Sequence, residues 1–424
     1  MIGNNKIRNI AFLSTYPPKE CGIATFAEDL VSAIDKISSI QAIVIAVGNQ
    51  EEYIDPRVKY KINQYKRASY RQAALWINCN AELLVIEHEY GIFGGDCGEY
   101  ILNLAKELKI PFIITTHTVL QEPSSKQREI LRNLGRLSAK VVVMAKSSIP
   151  ILAGKYGIDL RKIVFIPHGV PFMQMESREE LKKKHGLQNK QIISSFGLIS
   201  PAKGLEYGIE AVAKIVQSHD DLIYLILGKT HPSVKASLGE NYRHSLMDLS
   251  EHLGIGKHVR FVDKYLTKEE VITYLHLSDM YLTPYLSKEQ AVSGTMAYAM
   301  GCGRVIISTP YRYAQEMLAS GHGMLANFKD ADSIASCIQK VLDNPTFKKE
   351  MEMRILAVGQ TMAWTNVASS YAELCTRTLE DIGSQRRKDL GLHLLCKSLP
   401  SRLKIMKREE VGAVLINKNE SCLE

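Results

Sequence analysis

The stretch Pro284–Gly303 contains the strongest candidate for ligand chemistry in the chain. Its residue types predict a strand, a Gly/Ser turn and a helix, followed by another apolar strand. Ser293, Gly294 and Thr295 fall where this helix begins, and the unpaired N–H groups of a helix start attract anions. We therefore predict a phosphate cradle at these three residues. An ordinary strand–helix corner with a serine cap is the alternative.

Two further strand ends carry residues suited to a ligand. One has a lysine, and the other has a glycine that lets the backbone come close to a ligand. Lys203 stands beside Gly204 in a segment where Pro201 starts a turn or helix, just after a strand that ends at Gly197. A lysine at a helix start opposes the helix dipole unless an anion is bound, so Lys203 fits a ligand better than it fits fold stability. A solvated surface lysine is the alternative. Gly22 follows the first strand and lets the backbone approach a ligand closely.

Histidines and glutamates cluster at the ends of other predicted strands. In an extended segment Glu87 and Glu89 point to one side and His88 to the other. The two carboxylates fit an acid/base pair, metal ligands or a solvated edge, and no metal-binding spacing supports the ligand hypothesis. His117 ends a strand that should be central, and His168 lies in a similar position. Each fits either a structural or a functional role.

Short runs rich in Ile and Val alternate with helix-like stretches along both halves of the chain. Such runs are typical of strands buried on both faces of a parallel sheet, whose ligands bind at the carboxyl ends of the strands. Two such series predict two doubly wound α/β domains with a cleft between them. The predicted strands are Ile7–Leu13, Gln41–Val47, Leu83–Ile86, Pro111–His117, Val141–Met144, Ile163–Pro167, Ile192–Gly197, Leu222–Gly228, Val259–Val262, Met280–Pro284 and Val305–Ser308.

The boundary between the two series is predicted near residue 173. Ser177 with Glu180 three residues later has the spacing of a capping box, which begins a helix at the start of the second series. We expect a first domain over 1–173 and a second over 174–365. A helix over 366–384 and a basic, flexible tail over 385–424 complete the predicted organisation.

Length and composition agree with a soluble two-domain protein. The chain has 424 residues, a length that exceeds what a single hydrophobic core usually holds. Its residues are 46% hydrophobic and 23% charged, which is ordinary for a globular protein. No apolar run approaches the roughly 20 residues of a membrane span, and no signal peptide is predicted, so we expect a cytoplasmic location. The 8 cysteines lack metal or disulfide spacing, which favours reduced thiols.

The net charge of +8 concentrates near the end of the chain. Between Arg386 and Arg408 eight Lys or Arg residues stand against a single acid, Asp389, and leucines lie between them. A basic amphipathic segment of this kind fits an anionic membrane surface. It lacks the aromatic residues that would favour nucleic acid, and a solvated tail is the alternative.

Taken together, these motifs resemble glycosyltransferase family 4, whose members are retaining nucleotide-sugar transferases of the GT-B fold. The matching pieces occur in order from Ile7 to Leu379: PPKECGIATFAEDL, HEYGIFGG, TTHTVL, IPHGV, SPAKG, the Pro284–Gly303 stretch, and Trp364 followed by Tyr371. The resemblance implies that the second domain binds the nucleoside diphosphate sugar and the first presents the acceptor. The helix of Tyr371 would return to the first domain.

Carried over to this sequence, the resemblance assigns roles to individual residues. It implies that Lys203 binds the donor phosphates, that Gly22 faces the diphosphate, and that His117 contacts the transferred sugar. The motif GKTHP, which starts at Gly228 and Lys229, is similar to a bacterial branch of the family and is expected on the donor side. The remaining residues expected on the acceptor or sugar side are His88 and Glu89.

Three positions depart from the family pattern. Leu198 replaces an arginine, and Gln290 and Tyr298 replace two glutamates, while the neighbouring carboxylate of Glu289 is one residue out of register. Gln290 is still able to hydrogen-bond sugar hydroxyls, and Tyr298 offers one hydroxyl to a ribose where a carboxylate would accept two bonds. We interpret these changes as variation within the family. Loss of catalysis is the alternative.

The resemblance also implies a mechanism. A hexosyl unit would move to an acceptor hydroxyl with retained anomeric configuration, by front-face attack without a covalent enzyme intermediate. Because Lys203 and the helix start would supply positive charge to the departing diphosphate, we expect no metal and no cofactor apart from the nucleotide sugar. The expected acceptor is a glycan or a lipid-linked molecule of the cell envelope. A nonhydrolysing nucleotide-sugar epimerase and a nucleotide-sugar-binding protein without catalysis are the competing hypotheses.

Overall fold

A computed structural model describes residues 8–49 and 51–398, and it describes side chains only as far as residue 384. The described residues up to Cys375 belong to one compact unit, and the described residues from Thr376 onward belong to another. The described part of the second unit is helical. Most of the predicted tail over 385–424 lies outside the described residues, and nothing in the structure tests its role.

The first sheet is parallel and has strand order β3-β2-β1-β4-β5-β6-β7. Every residue of the strand at Leu83–His88 is buried, as the unbroken apolar run predicts. The strands are β1 Arg8–Ser14, β2 Ile40–Gly48, β3 Val58–Asn63, β4 Leu83–His88, β5 Phe112–Thr116, β6 Lys140–Val143 and β7 Ile163–Phe165. The helices between them are α1 Gly22–Ile37, α2 Arg67–Asn80, α3 Ile101–Glu107, α4 Ser125–Leu137 and α5 Ser148–Tyr156.

The second sheet is also parallel, with strand order β10-β9-β8-β11-β12-β13. Its strands are β8 Gln191–Phe196, β9 Leu222–Leu227, β10 Val259–Val262, β11 Met280–Thr283, β12 Val305–Ser308 and β13 Met324–Leu325. The remaining helices are α6 Arg178–Lys184, α7 Leu205–Ile215, α8 Pro232–Leu238, α9 Asn241–His252, α10 Lys268–Leu277, α11 Gly294–Gly301, α12 Arg312–Met317, α13 Ala331–Leu342, α14 Pro345–Thr361 and α15 Trp364–Ser398. The predicted capping box of Ser177 and Glu180 begins α6.

The chain passes between the two sheets twice, at neighbouring places. In the link that follows β7, the N–H of Val170 donates to the carbonyl of Met362 over 2.9 Å, and the N–H of Trp364 donates back to Val170 over 3.2 Å. Farther along α15, the hydroxyl of Tyr371 lies 3.0 Å from the hydroxyl of Thr115 on β5. These contacts fix the two sheets relative to each other.

The two parallel, helix-covered sheets confirm the predicted α/β fold class. Most predicted strands are present with ends within one or two residues. β3 and β13 were not predicted. Among the described residues, no helix combines the length and apolar character that crossing a membrane would need.

Candidate active site

A cleft of about 850 Å³ opens where the strand ends of the two sheets face each other. It is lined from the first domain by the loop before α1 and the first turns of that helix, and from the second domain by the loops that follow β8, β9 and β10 and by the start of α11. The predicted site residues that line it are Gly22, Lys203, Gly228, Lys229, Gly294, Thr295 and Tyr298.

The floor of the cleft is made of backbone from two glycine turns. Gly197 and Gly228 adopt φ values of 125° and 137°, in a region that favours glycine. A Cβ on Gly228 would lie 2.1 Å from the carbonyl oxygen of Gly197, so only glycine lets the two loops touch. The close contact leaves the ends of β8 and β9 open to a ligand.

The start of α11 has the features of an anion site. The hydroxyl of Ser293 caps the helix by accepting from the N–H of Met296 over 3.3 Å. Ser293 is therefore occupied with the cap, while Gly294 and Thr295 line the cleft. Because the first N–H groups of a helix have no partner within the helix, those of Gly294 and Thr295 are available to a ligand.

Lys203 ends a short 3₁₀ helix and lines the same cleft as the start of α11. Its Nζ lies 3.8 Å from the ring centre of Tyr285. Burial alone would raise the pKa of Tyr285, and the Lys203 ammonium overcomes this effect and lowers it. Among the residues whose side chains the structure describes, no carboxylate forms an ion pair with Lys203. Within the described part of the chain, the cleft therefore contains a lysine that has no carboxylate partner.

Lys229 differs from Lys203, because it forms an ion pair across the cleft with Glu20 of the first domain. The ring centre of Tyr265 lies 5.9 Å from its Nζ. An anionic ligand that used Lys229 would have to replace the Glu20 carboxylate.

Tyr298 is tied to the first domain. Its hydroxyl donates to Asp29 on α1 over 2.8 Å, and the other oxygen of Asp29 accepts from Lys268. Burial, with Asp29 as a second cause, raises the pKa of Tyr298 well above its usual value. Asp29 thus joins the two domains at a position that was predicted to face a ribose. The sequence did not indicate this contact.

Gln290 and Glu289 do not line the cleft. The side-chain amide of Gln290 donates to the carbonyl of Val292 over 2.7 Å. Glu289 accepts from the N–H of Gln121 over 2.9 Å and lies 3.6 Å from Arg312. Gln290 would have to break a local bond to reach a sugar, and Glu289 joins the two domains.

His117 lies behind the cleft wall and pairs with a carboxylate. Its Nε2 is 2.8 Å from Oε2 of Glu87, and its ring meets the edge of Phe26, which lines the cleft, with ring centres 4.8 Å apart. Oε1 of Glu87 and both ring nitrogens of His88 are buried without a hydrogen-bond partner. Burial, with His117 as a second cause, lowers the pKa of His88 to about 3.

The side chains of Glu87 and Glu89 both contact residues that follow the neighbouring strand β5. Glu89 accepts from the hydroxyl of Thr118 over 2.5 Å and from the N–H of Tyr90 over 2.9 Å. Neither Glu89 nor His88 borders the cleft, so a role of either on the acceptor side stays a prediction.

Two further cleft residues had been noted in the sequence without being assigned to the site. Leu198 lines the cleft where the resemblance leads one to expect an arginine, so it supplies no charge there. His168 also lines the cleft, beside Gly294. The sequence singled out His168 but gave no means of choosing a role for it. Across the described residues, no group of three or more His, Cys, Asp or Glu side chains could hold a metal ion.

Comparisons with known proteins agree with this architecture. Residues 177–356 match the family model of glycosyl transferases group 1. The chain is 18% identical to an alpha-D-kanosaminyltransferase of Streptomyces kanamyceticus over 301 residues, which are 65% of this chain and 74% of that protein. It is 24% identical to the serotype-specific mannosyltransferase WbdA of Escherichia coli over 51% of this chain, a match that spans only 25% of WbdA.

The fold is shared with solved structures. HepE of Anabaena, crystallised in complex with UDP and glucose, superposes with a TM-score of 0.71 at 15% identity, over 87% of this chain and 100% of that one. Likeness at this identity concerns the fold alone. The chain has the GT-B fold, and its second domain matches the model of glycosyl transferases group 1.

Proposed function

We propose that this protein is a retaining glycosyltransferase, which moves a hexosyl unit from a nucleoside diphosphate sugar to an acceptor hydroxyl. The observation that carries the proposal is that Lys203, which has no carboxylate partner among the described residues, lines the same cleft as the free N–H groups at the start of α11. A diphosphate between them would satisfy both. The match to the group 1 model and the UDP and glucose bound by HepE support this choice of ligand.

In the proposed reaction, the bond between the anomeric carbon and the β-phosphate oxygen breaks, and negative charge develops on the departing diphosphate. The acceptor oxygen bonds to the anomeric carbon on the same face, and its proton passes to the departing diphosphate. Lys203, the N–H groups of Gly294 and Thr295 and the backbone near Gly22 would stabilise the negative charge on the diphosphate. The reaction would need no metal ion for this purpose. His117, which Glu87 holds behind the cleft wall, would bind the transferred sugar after Phe26 moved aside, and Gln290 would do so after release from Val292.

Ligand screening tests the donor. UDP-glucose, UDP-galactose, UDP-N-acetylglucosamine, GDP-mannose and the parent diphosphates should be compared by thermal denaturation. A ligand at 100 times its Kd stabilises the folded state by about 2.7 kcal/mol, so at least one compound should raise Tm by several degrees. No shift with any of them would contradict the proposal.

Lys203→Ala tests the catalytic residue. Removing a charge that stabilises a transition state costs on the order of 10² to 10³ in kcat, so transfer should fall by that factor while Tm changes little. Lys183→Ala is the matched control, because this lysine is exposed on α6. Near-normal transfer by Lys203→Ala would refute the role of this residue.

A second candidate function follows from Leu198 and Tyr298. The first leaves the cleft without an expected cation, and the second is already bonded to Asp29. Both changes favour a protein that binds nucleotide sugars without transferring them. Such a protein would be stabilised by a donor and yet show neither hydrolysis nor transfer with any acceptor. An epimerase would instead change the donor without any acceptor, so product analysis separates the three functions.

The acceptor substrate and the cellular location of the protein are a separate part of the proposal. We place the acceptor among cell-envelope glycans or lipid-linked glycans, reached from the cytoplasmic side, and the basic residues between Arg386 and Arg408 at an anionic membrane surface. Vesicles with anionic lipid should sediment the full chain at low salt and release it as salt rises. A chain truncated after residue 384 should stay in the supernatant, and equal sedimentation of both chains would contradict a role for the tail.

A further inference from the structure

His168 presents one ring nitrogen to the cleft in a fixed chemical form. Its Nδ1 lies 2.7 Å from the carbonyl oxygen of Gly169. A carbonyl oxygen only accepts, so Nδ1 must carry the proton and donate it. In the neutral ring Nε2 is then left with a lone pair and no hydrogen. The backbone of the link between the two sheets thus selects the tautomer of His168.

The ring is also fixed in orientation. The ring centres of Phe26, Trp364 and Tyr298 lie 5.1, 6.1 and 6.4 Å from that of His168. These aromatic contacts come from α1, α15 and α11, so both domains hold the ring. The side chain has little freedom to turn away from the cleft.

Nε2 points at the start of α11. A Cβ built on Gly294 would lie 3.0 Å from Nε2, closer to that atom than to any other. His168 is 7% exposed, and Nε2 has no hydrogen-bond partner among the residues whose side chains the structure describes. Because His168 lines the cleft, its Nε2 is open to a hydrogen bond from a bound ligand.

The charge state of His168 decides which ligand group fits. Burial and the nearby His117 lower the pKa of His168 to about 4, although the bond to Gly169 opposes them. The other groups that face the ring are the positive end of α11 and the hydroxyl of Tyr298, which is bonded to Asp29. The ring is therefore neutral near pH 7, and Nε2 is an acceptor.

A hydrogen-bond acceptor excludes some parts of a nucleotide sugar and fits others. Phosphate oxygens are acceptors themselves and would repel the Nε2 lone pair. Hydroxyl groups donate, and a nucleotide sugar carries them on its sugar and on its ribose. Nε2 therefore needs a donor group, and hydroxyls are the most numerous donors on a nucleotide sugar.

We infer that Nε2 of His168 accepts a hydrogen bond from a hydroxyl group of the bound nucleotide sugar, which makes His168 a residue that selects the donor. The inference rests on the proposed function, because it takes the nucleotide sugar as the ligand of the cleft. It assigns a role to a residue outside the phosphate cradle.

Calorimetric titration of two ligands tests the inference. The ligands are the nucleotide sugar that gives the largest stabilisation in the screen and its nucleoside diphosphate. In His168→Phe, which keeps a ring but removes the acceptor, affinity for the nucleotide sugar should fall about three- to tenfold, the range of one net hydrogen bond. Affinity for the diphosphate should stay the same if the sugar supplies the hydroxyl, and should fall equally if the ribose does.

Two variants complete the experiment. His168→Gln offers a side-chain carbonyl as acceptor and should recover part of the lost affinity. His244→Phe replaces an exposed histidine on α9 and should bind both ligands like the natural chain. Unchanged affinity of a folded His168→Phe for both ligands would overturn the inference.

Ligand analogues that lack one hydroxyl group test the same hydrogen bond from the ligand side. One analogue that lacks a single hydroxyl of the sugar or of the ribose should bind the natural chain about three- to tenfold more weakly than the parent ligand does. His168→Phe should bind that analogue and the parent ligand with equal affinity. If no deoxygenation weakens binding to the natural chain, the inference fails even where the variants do not fold. Absence of binding by all nucleotides would instead refute the proposed function, and this inference with it.

Discussion

Both sheets bury a carboxylate, and the two carboxylates have different surroundings. Asp279, just before β11, accepts from Lys182, Lys348 and Arg178 over 2.8, 2.6 and 3.2 Å and from the N–H of Ile192 over 2.8 Å. Both of its oxygens are therefore fully used, and they join three segments of the second domain. Asp279 lies away from the cleft.

Glu87 on β4 is as deeply buried as Asp279 but far less satisfied. One oxygen pairs with His117, and the other has no partner. The neighbouring His88 also lacks partners for both ring nitrogens. A domain selected only for stability would replace such groups with apolar ones, because an unpaired buried polar atom destabilises it.

The contrast separates two reasons for burying a charge. Where every oxygen is bonded, as at Asp279, the carboxylate holds segments of the domain together. Where oxygens and nitrogens lack partners behind the wall of a cleft, as around Glu87, the arrangement fits a group kept for ligand chemistry.

Removing Asp279 should have the largest effect on stability. Asp279→Ala leaves three cations near one another without their carboxylate, and loss of one partner of a buried ion pair costs about 3–5 kcal/mol. Urea unfolding at pH 7 should measure that loss in the free energy of unfolding. Asp332→Ala removes an exposed partner of Lys214 and should cost less than about 1 kcal/mol. Equal effects of the two variants would contradict the structural role of Asp279.

The same variant should change the response to acid. Burial would raise the pKa of Asp279, but Lys348, Lys182 and Arg178 overcome burial and lower it. A lowered pKa in the folded state gives stability that is present above the ordinary pKa of about 4 and is lost as pH falls below it. The difference in unfolding free energy between the natural chain and Asp279→Ala should therefore narrow between pH 5 and pH 2. A constant difference over this range would contradict the lowered pKa.

Glu87→Gln should affect turnover more than folding. The amide keeps the shape of the side chain but removes the charge that holds His117, so we expect kcat to fall about ten- to a hundredfold. The free energy of unfolding should change by less than about 1 kcal/mol, because one oxygen had no partner to lose. Glu107→Gln on the exposed side of α3 is the control. A normal kcat in Glu87→Gln would mean that the pair of Glu87 and His117 is purely structural, as Asp279 is.

Tyr298→Phe should have the smallest effect. It removes one hydrogen bond between the domains and leaves Asp29 paired with Lys268. A single bond of this kind contributes about 1 kcal/mol, so nucleotide affinity should fall by no more than about fivefold in calorimetry. Tyr207→Phe, on α7 within the second domain, should leave affinity unchanged. A loss above a hundredfold would mean that the Tyr298 hydroxyl binds the ligand directly.

The sequence predicted the fold well because buried parallel strands are unbroken apolar runs. β3, Val58–Asn63, was missed because it lies at the edge of its sheet, where lysines alternate with apolar residues. β13 has only two residues and leaves almost no pattern. Edge strands depend on pairing with a neighbour, which a local pattern does not contain.

Parts of the candidate site were predictable for a similar reason. Glycines and a lysine at strand ends are local features, and Gly22, Lys203, Gly228 and Gly294 do line one cleft. The contact of Asp29 with Tyr298 joins residues 269 positions apart in different domains. The sequence around each residue contains no pattern that indicates its partner, because the contact forms only after both domains have folded and docked.

Helix α1 places two acidic neighbours in different settings. Glu28 lines the cleft, while the adjacent Asp29 holds Tyr298 and Lys268 of the other domain. A single turn of helix thus borders the cleft and also contacts the other domain. Thermodynamic linkage is reciprocal: any factor by which a ligand strengthens the docking of the domains is also the factor by which docking strengthens the ligand. If a ligand strengthens docking, an inhibitor that held Asp29 away from the second domain would weaken binding of that ligand by the same factor.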